Sequence, residues 1–402
     1  MFLSVLSCSY GGGHRRVAET IADAWREESG GRAEVVDYFT RFSNPLFDSL
    51  TRYGYYQAIR YAPGLQRRFY SFMGRIAPDS RFRRAVNRQG MQAFARYLAE
   101  SRPDVVCCVH WTFAGTLSDL KAAKRTTVPC LTVITDYVAH GQWIHPHTDQ
   151  YAVPHELMRD GLRGRGVPAA RITVSGLPIE AKFARGVERG TARAELGLRQ
   201  DVPVVLVMGG AFAGLGRMDD LVRILAGFSR PIQAVVVCAN APRLARRARS
   251  AAARSPHPFR VLGYVDNVHE LMAASDILMT KAGGVTVSEA LVSRVPMILY
   301  GSIPGHEESN ARFLVDQGAA VAAGTPADAC EALGDLLSRP DRAEDMRRAA
   351  LRLGRPDAAR AVAAQLARLA AGRRGRDGGE SAPRAAPAAG SIPAAPGRRP
   401  GA

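Results

Sequence analysis

The chain has 402 residues, 47% of them apolar and 23% charged, with a formal net charge of +17. That length exceeds one ordinary hydrophobic core and calls for two domains, while no apolar run reaches the ~20 residues that cross a bilayer. Six cysteines without a Cys-x-x-Cys pair, most of them in apolar runs, exclude a disulfide scaffold and suit buried, reduced thiols in a cytoplasmic protein.

Phe2, Leu3, Val5 and Leu6 form a short apolar run, as in a buried parallel strand. The run lacks a basic start and a small-residue cleavage site, so it does not read as a secretory leader. Gly11, Gly12, Gly13 and His14 break it, and Val17, Ala18, Ile21, Ala22 and Trp25 then recur at helical spacing. The break is therefore a strand-to-helix turn at the carboxyl end of a strand, where α/β sheets bind ligands. Glycines there let an anion approach backbone N–H groups, and the turn ends in the side chain that titrates nearest neutrality. The plain alternative is a flexible turn beside a surface histidine.

"AEVVDYF" reads as a second strand. Residues 52–88 then hold nine arginines against Asp79 alone, a net +8, with Tyr53, Tyr55, Tyr56, Tyr61, Phe69, Tyr70, Phe72 and Phe82 interleaved. Arginine mixed with interfacial aromatics suits an anionic membrane surface, and it could also suit nucleic acid. "DVVCCVHW" and "CLTVITDY" read as strands, with the helix "TFAGTLSDLKAAK" between them and a short strand at "QYAVP". This alternation is the rhythm of a doubly wound parallel sheet and predicts one domain over residues 1–165. Residues 166–202, poor in strand signal, read as a passage between domains.

The rhythm restarts at "VPVVLVMGGAFAG", with Gly209 and Gly210 after the strand, and continues through "IQAVVVCAN", "FRVLGYV", "SDILMTKAGGVTVSEAL" and "VPMILYGSIPG". This predicts a second domain over 203–371. The Gly-, Pro-, Ala- and Arg-rich stretch 372–402 reads as a disordered tail. Two such domains set their ligand edges across a cleft suited to two substrates. In the second, Gly283 and Gly284 open a helix whose N–H groups around Val285 and Thr286 would face an anion. Glu289, near that helix start, could accept hydrogen bonds from two adjacent sugar hydroxyls. Glu307, Glu308 and Asn310 follow Pro304 and Gly305 just before a helix, an acid-amide set suited to a polyhydroxyl ligand.

The segments "GGGHRRVAETIADAW", "VHWTF", "VITDYVAHGQWIHPHTDQYAVP", "VSGLPI", "GYVDNVHELMAASDILMTKAGGVTVSEAL" and "PGHEESN" carry a resemblance in their order and spacing. From about residue 4 to about residue 325 the chain resembles the GT-B glycosyltransferases of the monogalactosyldiacylglycerol synthase and processive diacylglycerol glucosyltransferase family, relatives of the peptidoglycan N-acetylglucosaminyl transferase. The resemblance implies an α/β GT-B fold, two Rossmann-like domains facing across a cleft. It implies a UDP-sugar donor, a lipid acceptor such as diacylglycerol, no cofactor or metal, and a peripheral place on the inner face of the cell membrane. It places His14 at the acceptor side as general base or organiser, with His110 and Asp136 as further polar residues there. Gly12 and Gly13 match the diphosphate loop, with Gly209 and Gly210 on the corresponding turn of the second domain. The Val265 backbone matches the uracil reader, Gly284 and Thr286 the second phosphate turn, Glu289 the ribose carboxylate, and Glu307, Glu308 and Asn310 the sugar-gripping loop. Departures at "MGGAFAGLG", Gly283–Gly284 and His306 bear on which sugar is used.

Direct attack by an acceptor hydroxyl inverts the anomeric carbon and needs a proton acceptor beside the diphosphate donors, which a glycine turn ending in histidine supplies. Asp136, His140, His145, His147 and Asp149 could be read as a metal cluster, but they lack the His-Glu-x-x-His helix spacing. His155 and His269 read as surface or cap residues. Two alternatives stand beside the transferase reading: a nucleotide-sugar epimerase on the same fold, or a non-enzymatic membrane- or RNA-binding protein using the arginine-rich surface.

Overall fold

The computed structural model describes residues 1–8, 12–44, 49–50, 53–54, 57, 61–76, 80–209 and 218–379. It contains two parallel sheets. The first uses β1 (Phe2–Ser7), β2 (Arg32–Asp37), β3 (Val105–Cys108), β4 (Cys130–Val133), β5 (Gln150–Val153) and β6 (Ile172–Val174), in the order β2-β1-β3-β4-β5-β6. The second uses β7 (Val204–Met208), β8 (Gln233–Val237), β9 (Phe259–Leu262), β10 (Ile277–Thr280), β11 (Met297–Tyr300) and β12 (Ala320–Ala323), in the order β12-β11-β10-β7-β8-β9. The central strands β3, β4, β7, β8, β10 and β11 are buried along their whole length, as parallel strands covered on both faces must be.

The strand order reverses direction at β1/β3 and at β7/β10. The crevices beyond these switch points are where such sheets take ligands. The first receives the turn into α1 (Gly12–Ser29), whose apolar face, Val17, Ala18, Ile21, Ala22 and Trp25, is buried on the sheet. The second receives Gly209 and the turn into α13 (Gly284–Val292).

Between the turns lie α2 (Tyr38–Phe42), α3 (Pro63–Arg75), α4 (Arg81–Asn87), α5 (Met91–Ser101), α6 (Trp111–Ala122) and α7 (Glu156–Arg163) in the first half. The linking stretch carries α8 (Ala181–Ala184) and α9 (Arg189–Glu195); the second half adds α10 (Met218–Ala226), α11 (Pro242–Ala252), α12 (Val268–Ala274), α14 (His306–Asp316), α15 (Pro326–Ser338), α16 (Pro340–Leu353) and α17 (Ala358–Gly379).

Three boundaries move from their expected places. Strand β6 joins the first sheet beside β5, so that sheet runs to Val174 and takes up the start of the expected passage. Three residues after Arg171 carry too little periodicity to be seen locally. Helix α17 leaves the second half and returns to the first. Ala359 and Ala363 pack on Ala24 of α1, Arg360 pairs with Glu28 at 2.6 Å, and Gln365 Nε2 donates to Gln150 Oε1 and Thr173 Oγ1. It also continues to Gly379, into the expected tail; residues 380–402 lie outside the described residues. None of the six cysteines is in a disulfide, and five of them are buried.

Candidate active site

Three groups of side chains line the facing edges of the two sheets. The first surrounds His14, the third residue of α1. Its ring keeps some solvent-accessible surface, yet the protein around it pushes its pKa down to about 4. Burial is the main cause; Asp136 opposes the shift and His306 adds to it. Among the described residues the ring has one hydrogen-bond partner, Thr135 Oγ1, 3.3 Å from Nε2. His110 meets it edge to face at 5.1 Å between centroids. Nδ1 of His110 accepts from Thr112 N–H as the N-cap of α6, and burial holds the ring neutral, its pKa well below the usual range. Asp136 accepts from Trp143 Nε1 at 3.0 Å. His14, His110 and Asp136 thus come together, with His14 the member whose ring is least committed to neighbours.

The second group surrounds Glu289, which lies in the second turn of α13. The sequence places this carboxylate near the helix start, as an acceptor for sugar hydroxyls. It is buried, and desolvation pushes its pKa up to about 8, with Arg16 opposing and Glu180 adding. Arg16, two residues after His14, crosses from α1 to Glu180 Oε1 at 2.5 Å and to Tyr264 Oη at 2.9 Å. Tyr264 is exposed and precedes Val265, so the expected uracil reader stands beside this crossing. Gly13 and Val285 approach across the cleft: a Cβ on Gly13 would stand 3.4 Å from Val285 Cγ2. Gly12, Gly13, Gly284 and half-buried Thr286 line these facing turns; Gly209 is buried after β7, and Gly210 lies outside the described residues.

The third group is the acid-amide loop, whose side chains already have partners within the protein. Both carboxylate oxygens of Glu307 are engaged: Oε1 pairs with Lys281 Nζ and Oε2 accepts from Ile303 N–H at 2.7 Å. Both ends of the Asn310 amide are engaged too, Oδ1 with Tyr137 N–H at 2.8 Å and Nδ2 with Ala282 O at 3.2 Å. Glu308 accepts from Gly305 N–H in a capping box and pairs with Arg67 of α3. Buried polar groups need partners, and these found them inside the protein. Lys281, Thr135, Tyr137 and Arg16 were missed from the sequence; only the position of Lys281 before the glycine turn could have flagged it.

The residues weighed as a metal cluster have other tasks. His145 Nε2 meets Trp111 O at 3.0 Å, and His140 Nε2 meets Tyr70 O at 3.0 Å while its ring stacks on Tyr70. Asp149 binds Lys121 and Cys130 N–H. No group of three or more metal-ligating side chains occurs among the described residues. His155 is a cap but not a surface residue: it is buried at the N-cap of α7 and stacks on Phe313 at 4.0 Å. In the basic aromatic segment, Tyr61, Leu65 and Phe72 are exposed, as are Arg67 and Arg68. Arg83 is not part of that surface. It is buried, donates to Gly141 O at 3.0 Å, and has no partner for Nη1 among the described residues. Arg52, Tyr55, Tyr56, Arg60 and Asp79 lie outside the described residues.

Residues 14–179 match the profile of monogalactosyldiacylglycerol (MGDG) synthase, and residues 217–362 that of the glycosyltransferase family 28 C-terminal domain. A Bacillus cereus protein named processive diacylglycerol beta-glucosyltransferase is 30% identical over 317 residues, 79% of this chain and 80% of its own. The chain belongs to the monogalactosyldiacylglycerol synthase and processive diacylglycerol glucosyltransferase family. Like the other members of this family it is a glycosyltransferase. A Bacillus licheniformis member with the same printed name is 27% identical over 344 residues, 86% of this chain and 88% of its own. In fold the chain is similar to Acinetobacter baumannii MurG (TM-score 0.63, 16% identity, 91% of this chain and 99% of that one). It is also similar to S. aureus MnaA in a co-structure with UDP (TM-score 0.59, 15% identity, 89% and 93%). The fold is therefore GT-B, as expected.

Proposed function

We propose that this chain transfers a hexosyl group from a UDP-sugar to diacylglycerol at a membrane surface. The observation that carries the reading is the approach of the His14 turn to the first turn of α13, with Gly13 against Val285, in a chain whose relatives are named diacylglycerol glucosyltransferases. UDP sits on the second half, its ribose on Glu289, its uracil by the Val265 backbone, and its diphosphate between the N–H groups of the two facing turns. The acceptor hydroxyl gives its proton to His14 as its oxygen attacks the anomeric carbon. The bond to the diphosphate oxygen breaks, and UDP leaves with that electron pair. A single in-line displacement inverts the anomeric carbon. The charge on the leaving group is met by backbone N–H groups of the two facing turns, so the step needs no metal.

The donor-sugar contact is Glu308 together with the loop backbone, with Glu307 holding Lys281 in place. The protein docks on the inner face of the membrane through exposed Tyr61, Leu65, Phe72, Arg67 and Arg68. No helix among the described residues is long and apolar enough to cross a membrane. The test is incubation with each UDP-hexose and diacylglycerol in vesicles, then mass spectrometry of the extracted lipid. A new hexosyl-diacylglycerol is expected. Conversion of the UDP-sugar to its epimer without a lipid product would favour the epimerase reading instead.

A further inference from the structure

A general base needs one ring nitrogen free, so which nitrogen is occupied matters. Around His14 the choice is narrow. Asp136 already accepts from Trp143, and His110 uses Nδ1 to cap α6, which leaves its proton on Nε2. The hydrogen bond of the His14 ring, among the described residues, goes to a hydroxyl, Thr135 Oγ1 at 3.3 Å from Nε2. Thr135 is buried two residues past the end of β4 and belongs to a three-residue segment gripped from the other half of the protein. Its carbonyl oxygen lies against Gly284, where a Cβ would overlap it, and Tyr137 binds Asn310 and Ser288. The backbone that carries the hydroxyl is therefore held in place by contacts that do not involve His14.

We infer that Thr135 is the positioning residue for His14: its hydroxyl oxygen accepts the Nε2 proton and leaves Nδ1 as the nitrogen that takes the acceptor's proton. This inference rests on the general-base reading of His14. It differs from a carboxylate-oriented histidine, because a neutral hydroxyl fixes the tautomer while stabilising the imidazolium that forms less than a carboxylate would. The charged and titratable groups facing the ring are Asp136, His110 and His306. None of them is hydrogen-bonded to it among the described residues.

Two measurements on the full chain test the assignment. In nitrogen-15 spectra of histidine-labelled protein at pH 7, with His14 assigned by its loss in His14→Ala, the ring should be the Nε2–H tautomer; an Nδ1–H ring would overturn the proposal. In kinetics, Thr135→Val should lower kcat by about 10- to 100-fold, a fraction of a general base's contribution, with little change in KM for the UDP-sugar. Thr135→Ser, which keeps the hydroxyl, should restore most of the rate, and Thr135→Val should cost nothing further in a His14→Ala background. Serine as slow as valine, or valine as fast as the parent, would overturn it. If His14→Ala itself keeps the parental rate, the general-base reading fails, and the spectra still report the tautomer.

Discussion

Gly284→Ala isolates the contact between the two halves. Gly284 is the first residue of α13, so alanine suits its backbone and costs nothing in helix propensity. The difficulty lies across the cleft. The new Cβ would overlap the Thr135 carbonyl oxygen and stand 3.3 Å from Leu177 Cδ1. Ordinary contact distance requires the two halves to part by about 1 Å. The Tyr137–Ser288 hydrogen bond at 2.6 Å and the Tyr137–Asn310 bond at 2.8 Å start two residues after Thr135 and stretch with it. Overpacking of this kind costs about 1–3 kcal/mol. A displacement of about 1 Å between a base and the group it serves costs on the order of 100-fold in rate. Turnover with UDP-hexose and diacylglycerol vesicles should therefore fall about 100-fold, and thermal unfolding should shift down by a few degrees. UDP affinity, measured by calorimetry, should fall by less than the rate, because the uracil and ribose are held by the second half alone and only the diphosphate spans both turns. Parental kcat and an unchanged melting temperature would refute the reasoning, since they would mean that the two turns do not meet during the reaction.

His14→Ala should lower turnover by about 10²–10⁴-fold; because the pKa of His14 is depressed to about 4, the parental rate should hold from neutral pH to about pH 5 and fall only as the ring protonates below that. Glu289 has its folded pKa raised to about 8, so the folded state binds an extra proton between the unfolded value and 8, and stability should decline as pH rises through that window. Glu289→Gln should remove this decline, melting above the parent at pH 8 but not at pH 5, while Glu289→Ala should weaken UDP binding by about 1–3 kcal/mol. Lipid glycosylation should survive EDTA; loss that magnesium or zinc restores would contradict a metal-free step. Vesicle binding by a chain ending at Gly379 should rise with anionic lipid and fall with salt, and reversal of Arg68, Arg81 and Arg84 should abolish the charge dependence.

The sequence shows most clearly what depends on local periodicity. Strand β1, helix α1 and the glycine turns before α1 and α13 are visible because apolar spacing and glycine placement act over a few residues. The partners of polar side chains are different. Nothing near Glu307 in the chain announces Lys281, 26 residues earlier, and nothing near Asn310 announces the backbone of Tyr137, 173 residues earlier. An acid-amide loop therefore looks free in sequence and is occupied in space. Arg83 shows the same limit in reverse. It sits in a run of arginines that reads as a surface, but its neighbours in the fold bury it. Glu289 was identified by residue type, while its raised pKa follows from burial that only the packing of α13 reveals.

Helix α17 gives the molecule a second crossing between its halves. The chain passes once from the first sheet to the second after β6, and again when α17 returns to α1. Two pieces joined by one thread can swing and twist freely; joined by two, they share an axis. Sliding or spinning of one half against the other would have to break the α17 contacts with Ala24, Glu28 and Thr173. Those two crossings flank the approach of Gly13 to Val285, so the distance between His14 and α13 is set by two independent chain connections instead of one.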